Sequence, residues 1–131
     1  MLDAAASGWE VLPGVSAIPS GGALRVETNS KHLDYQLKGP AVSIPPGHYR
    51  VIVAGLVTNG GIDVGVLDNV ASSWIVQDLY WYGQFQGDMR PMTAEFSLEQ
   101  PAEIRVILSN WQTKEASSAW LLRHVSVERV D

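Results

Sequence analysis

Cysteine is absent from the chain, which excludes disulfide bridges and thiolate metal sites. Nothing in the sequence therefore requires an oxidising compartment, and nothing forbids one. Clustered basic residues are also missing. The nine Lys and Arg are scattered among fourteen Asp and Glu, for a net charge of −5. Nucleic-acid binding depends on neutralising phosphates with grouped Lys and Arg, so no nucleic-acid partner is expected. No apolar run approaches the length of a membrane span, so no membrane insertion is expected. Helical patterning is sparse: Thr113-Lys114-Glu115-Ala116-Ser117-Ser118 has the length of one turn but no apolar stripe. The opening residues, Met1-Leu2-Asp3-Ala4-Ala5-Ala6-Ser7-Gly8, combine no basic region with no apolar core, so they do not read as a secretory signal. A module cut from a longer protein would start the same way.

What is present is strand. With 131 residues, 46% hydrophobic and 18% charged, the chain is one globular domain able to build a real core. Residues 1–8 read as a frayed lead-in and residues 9–131 as the domain. Met92, Ala94, Phe96 and Leu98 alternate with Thr93, Glu95, Ser97 and Glu99, a strand with one apolar face. Ile104, Val106 and Leu108 alternate with polar Glu103 and Arg105 in a second, and Gln100-Pro101-Ala102 connects the two. Tyr49, Val51, Val53 and Val57 share one face of a longer strand that is apolar on both sides, which places it centrally. Asn59-Gly60-Gly61 marks a tight turn, Ile62, Val64 and Val66 follow, and residues 48–68 read as a β-hairpin. Further strands are expected at Leu24–Thr28, Tyr35–Leu37, Val42–Ile44, Trp74–Leu79 and Trp120–Val130. In the last, the apolar positions slip from even (Trp120, Leu122) to odd (Val125, Val127), and a bulge or bend near Arg123-His124 is needed to bury all four. Gly39-Pro40 and Pro45-Pro46-Gly47 are turns. Eight to ten short antiparallel strands with almost no helix predict an all-β sandwich or barrel.

Three stretches carry a likeness to known domains. Ile44-Pro45-Pro46-Gly47-His48-Tyr49-Arg50-Val51 has a proline-glycine-tyrosine entry into a central strand. Gly61-Ile62-Asp63-Val64-Gly65-Val66-Leu67-Asp68 is the strand after it, and Trp120-Leu121-Leu122-Arg123-His124-Val125-Ser126-Val127-Glu128 is a closing strand. Together they resemble the jelly-roll β-sandwiches of carbohydrate-binding modules and related accessory domains of bacterial glycan-processing proteins. The resemblance implies a two-sheet antiparallel jelly-roll and a role beside a glycan-active enzyme. It maps no ligand residue onto this chain, because a sandwich does not dictate its function.

Residue chemistry nominates the site. Tyr80, Trp81, Tyr82 and Phe85 place four rings in a short stretch with Gln84, Gln86 and Asp88 among them. Three consecutive rings cannot all face one core, so some must reach a loop or a solvent-facing sheet surface. Rigid rings beside amides and a carboxylate suit a sugar, which has apolar C–H patches and polar hydroxyls. The competing reading makes two of the rings core and the others a cover for one end of the sandwich. Asn110-Trp111-Gln112 is a second candidate, an indole between two amides at a strand end, against a rim tryptophan that closes the core. Trp74 and Trp120 lie in apolar strand context and read as core, and Trp9 anchors the first strand. Asp63, Asp68, Asn69 and Asp78 offer oxygen ligands to a structural calcium, or caps to turns. His32, His48 and His124 lack the spacing of a zinc pair. The chain has no Gly-x-Ser-x-Gly elbow, and with fourteen carboxylates the proximity of some pair, such as Asp63 with Glu95 or Asp88, carries no information. The expected function is non-catalytic binding of a polysaccharide or oligosaccharide, with a catalytic domain as tethered neighbour. Trp81 and Trp111 would stack, with Tyr80 or Tyr82 beside them, and Asn110, Gln112, Gln84 and Asp88 would hydrogen-bond. The rival is a protein-interaction or oligomerisation domain that uses the same aromatic patch.

Overall fold

The computed structural model describes residues 8–84, 91–112 and 116–130. They form eleven strands and no helix: β1 (Glu10–Val11), β2 (Ser16–Ser20), β3 (Ala23–Glu27), β4 (Tyr35–Lys38), β5 (Val42–Ile44), β6 (Gly47–Asn59), β7 (Gly61–Asp68), β8 (Ser73–Trp81), β9 (Met92–Leu98), β10 (Ala102–Asn110) and β11 (Ala119–Arg129). One sheet runs β2-β3-β11-β6-β9. The other runs β1-β4-β10-β7-β8, with β5 paired to β10 beside β4. All pairings are antiparallel. The architecture is the two-sheet antiparallel sandwich, and the expected strands are all present. Residues 116–118 carry no helix, and Thr113, Lys114 and Glu115 lie outside the described residues.

Alternation builds the core. From β6 come Tyr49, Val51 and Val53, from β9 Met92, Ala94 and Phe96, and from β11 Trp120, Leu122 and Val125. They meet Ile62, Val64 and Val66 of β7, Ile104, Val106 and Leu108 of β10, and Leu37 of β4. Each such aliphatic side chain taken out of water contributes roughly 1.5–3 kcal/mol. The phase slip in β11 is resolved at Arg123, the extra residue between Leu122, opposite Gly55, and His124, opposite Ala54. That bulge lets Trp120, Leu122 and Val125 all reach the interior, as the sequence pattern required.

The hairpin expected over residues 48–68 does not form. β6 pairs β11 and β9, whereas β7 pairs β10 and β8, so the two strands belong to opposite sheets. The chain crosses the sandwich at Gly60, whose φ of 70° only glycine adopts without strain. The pattern identified both strands and the turn correctly. It carried no information on whether the turn stays in one sheet, because both strands are apolar enough to be central to different sheets.

Candidate functional site

Core alternation in the β1-β4-β10-β7-β8 sheet leaves a second, outward face, and the strand register fixes what stands on it. Ile62, Val64 and Val66 face the core, so Gly61, Asp63, Gly65 and Leu67 face out. Opposite residues point the same way. Trp81 is therefore beside Gly61, Leu79 beside Asp63, Gln77 beside Gly65 and Trp74 beside Leu67. Across the other edge of β7, Ser109 is opposite Asp63 and Ile107 opposite Gly65. Tyr35 is opposite Ser109 in turn.

The two outward glycines seat aromatic rings. A Cβ on Gly61 would lie 2.7 Å from Cε3 of Trp111, and one on Gly65 would lie 2.5 Å from Cζ3 of Trp74. Trp111 and Trp81 pair with ring centroids 6.0 Å apart and planes tilted by 44°. Tyr35 meets Trp74 edge-on at 5.5 Å. Gly61 and Gly65 are four residues apart along one strand, about 13 Å at the usual rise. Two aromatic pairs thus flank a middle zone whose floor is Asp63, Ser109 and Ile107.

The floor of the middle zone carries two buried polar side chains. Asp63 and Ser109 are each 1% exposed. Asp63 Oδ2 accepts a short hydrogen bond from Gln77 Nε2, while Asp63 Oδ1 and Ser109 Oγ have no hydrogen-bond partner among the described residues. Burial pushes the Asp63 carboxyl up to about 6. The Gln77 bond opposes that rise, and the charge of Asp78 adds to it. Asp78 itself is raised by burial.

The sequence-nominated residues divide. Trp81 is 46% exposed and Tyr82 65% exposed, and Trp81 and Trp111 come together as a pair. Gln84 sits at the turn after β8, where its Oε1 accepts from the Trp81 backbone N–H at 3.1 Å and its own N–H donates to Trp81 O at 3.2 Å. Gln112 is half-buried and donates to Ser117 O at 2.8 Å. Asp88 lies outside the described residues, as do Phe85 and Gln86.

Tyr80 and Asn110 do not suit the expected role. Tyr80 faces inward with Ile62. Its hydroxyl donates to Thr93 O at 2.6 Å and accepts from Thr93 N–H at 3.0 Å, fastening β8 to β9 across the sandwich. Asn110 is 0% exposed. Its Nδ2 donates to Asn29 O (3.1 Å), Lys31 O (3.0 Å) and Ala116 O (2.9 Å), and its Oδ1 accepts from Ser118 Oγ at 2.7 Å. An amide so engaged has no capacity left for a ligand. Trp74, expected in the core, instead lies half-buried over Gly65 on the outward face. Trp120 is the interior tryptophan, and its Nε1 donates to Gly61 O at 3.0 Å.

The proposed oxygen cluster does not converge. Asp68 Oδ1 accepts from the N–H groups of Val70 and Ala71, a turn cap, and Asn69 bonds Glu103 and Arg105. Asp63 is mid-strand, and no group of three or more His, Asp or Glu able to hold a metal exists among the described residues. A cavity of about 130 Å³ between the sheets is lined by aliphatic residues around Val42, Ile44, Ile104 and Val127. Its one hydroxyl, Tyr49 Oη, already donates to Pro45 O at 2.7 Å.

Sequence reasoning missed Tyr35, Gln77, Ser109 and the outward role of Trp74. A usable signal was Gly61-x-Asp63-x-Gly65. A strand with an apolar inner face and alternating Gly, Asp, Gly on the other leaves seats that other side chains must fill.

No family model matches the chain, and no curated protein matches it in sequence. Among solved structures it is similar to one titled "CBM4 structure and function", with a TM-score of 0.69 and 15% identity, covering 94% of this chain and 95% of that one. The chain has the jelly-roll β-sandwich fold of a carbohydrate-binding module.

Proposed function

We propose that the chain is a non-catalytic carbohydrate-binding module that holds a glycan across the outward face of the β1-β4-β10-β7-β8 sheet. The observation that carries this reading is the pair of indoles Trp81 and Trp111, the latter seated over Gly61, on the same face as the pair Tyr35 and Trp74, the latter seated over Gly65. Rings fixed by the backbone beneath them offer stacking area at little entropic cost. Gln77 between the pairs supplies an exposed amide, and Tyr82 extends the aromatic rim. A few stacked rings and solvent-accessible hydrogen bonds set affinity at roughly micromolar to millimolar. A covalent link to a glycan-active domain would raise the effective concentration and make such weak binding useful.

The protein-interaction alternative uses the same rings. Its signature is a continuous apolar patch, whereas here the exposed apolar groups Leu79, Trp81 and Tyr82 are followed by a cross-strand row that carries the polar Gln77 and Lys38 at its two ends. Affinity electrophoresis through gels containing soluble β-glucan, xylan, mannan or α-glucan tests the choice. Wild type is retarded in at least one gel, and Trp81→Ala loses that retardation while its melting temperature stays within a few degrees. Retardation by none of them, together with a concentration-dependent oligomer in sedimentation, overturns the glycan reading.

A further inference from the structure

Among the described residues Gln77 is the exposed amide standing between the two aromatic pairs, and what holds it is unusual. Its Nε2 donates to Asp63 Oδ2, so its Oε1 is turned away from the sheet. Beneath it, Asp63 Oδ1 has no hydrogen-bond partner among the described residues. The charged and titratable groups around Asp63 offer none. On β8, Asp78 adds only repulsion. On β10, the facing residue is Ser109, and Arg105 is committed to Asn69 Oδ1 at 2.9 Å and Gly39 O at 3.2 Å. On β4, Tyr35 faces Ser109 and Lys38 faces Ile107, with Glu10 of β1 opposite Lys38. Asp63 forms no ion pair among the described residues.

We propose that Asp63 is a positioning residue for Gln77: as a carboxylate it holds the amide N–H inward and the amide oxygen outward, and on protonation the amide turns over and presents its N–H donors to the ligand. The inference rests on the reading that this face binds a glycan. The proton comes from solvent. Once on Oδ2 it needs an acceptor, and the group already at hydrogen-bonding distance is the Gln77 amide, which accepts through Oε1 after a half-turn that leaves its heavy atoms nearly in place. Ser109 Oγ, though cross-strand, makes no hydrogen bond to the acid. Because burial lifts the carboxyl to about 6, the reversal falls in a mildly acidic range. Above it, this point on the face accepts from a sugar hydroxyl. Below it, the same point donates, and a methyl ether oxygen, which can only accept, becomes a partner.

Two measurements test this on the full chain. In the first, NMR follows the Asp63 carboxyl carbon and the Gln77 side-chain amide from pH 4.5 to 8. The two move with one midpoint near 6, and in Asp63→Asn the Gln77 signals stay flat over that range. In the second, affinity electrophoresis compares a β-glucan with its O-methylated derivative. The preference of wild type for the free-hydroxyl polymer falls by about 2- to 10-fold between pH 7.5 and pH 5, the range set by one neutral hydrogen bond, and Gln77→Ala shows no such change. A Gln77 amide that ignores the Asp63 titration overturns the inference, and so does a preference that is constant with pH. Loss of retention in every gel at every pH overturns the glycan reading instead, and the NMR result still decides the behaviour of the amide.

Discussion

Asn110 and Trp81 both looked like ligand residues in sequence, and the contacts each makes separate them. Asn110 closes a junction between the loop before β4, the segment before β11 and the end of β10, with every polar atom of its amide engaged. Asn110→Ala leaves three carbonyls and the Ser118 hydroxyl short of a partner in a buried site. The expected cost is about 3–4 kcal/mol, summed from several buried bonds, and it is read as a lowered urea midpoint with an unchanged slope. Trp81→Ala removes a half-exposed ring whose backbone stays in the β7–β8 ladder, so its effect falls on retention by a polysaccharide and little on stability. An amide next to an indole has the same composition whether it serves a ligand or a loop. Only the loop's arrival at Asn110 distinguishes the two.

At the scale of elements, β7 organises the face. Its inward residues Ile62, Val64 and Val66 are aliphatic, the outward run Gly61, Asp63 and Gly65 is small or acidic, and the two glycines are seats. Gly65→Ala puts a methyl where Trp74 now lies. The indole must lift, with loss of its edge contact to Tyr35. Overpacking of this kind costs about 1–3 kcal/mol, and a changed near-UV circular dichroism spectrum with a lower melting temperature checks it. The alternation of Ile62, Val64 and Val66 made β7 legible as a strand, and the same rule exposed the bulge at Arg123. The supposed hairpin failed because local pattern describes a turn and its flanks but not the partners those flanks choose. Gly60 turns the chain between sheets, and β10 and β8 then claim β7.

For the molecule as a whole, acidity matters. Asp63 is raised from 3.8 to about 6 in the folded state, so the folded chain binds that proton more tightly than the unfolded one. The resulting stability is complete below about 3.8 and is lost as pH rises through about 6. Asp78 acts in the same direction. Glu95 acts in the other: Arg50, bonded to it at 2.7 Å, lowers its pKa, and that stability is lost as pH falls through the lowered value. Stability is therefore expected to be higher at pH 5 than at pH 8, by about 1 kcal/mol from Asp63, read as a higher melting temperature at pH 5, and the difference should shrink in Asp63→Asn. A pH-independent melting temperature in wild type would contradict the burial of this acid.

By itself the sequence determined an all-β chain, most of its strands, the β11 bulge and the presence of surplus aromatic rings. These follow from side-chain periodicity, which is a local property of the backbone pleat. Tertiary structure alone decided which sheet each strand joins, that Trp74 faces outward while Tyr80 and Asn110 are consumed by the scaffold, and that Asp63 lies buried under Gln77 between two aromatic pairs. Those outcomes depend on contacts between segments far apart in the chain, for which alternation carries no signal.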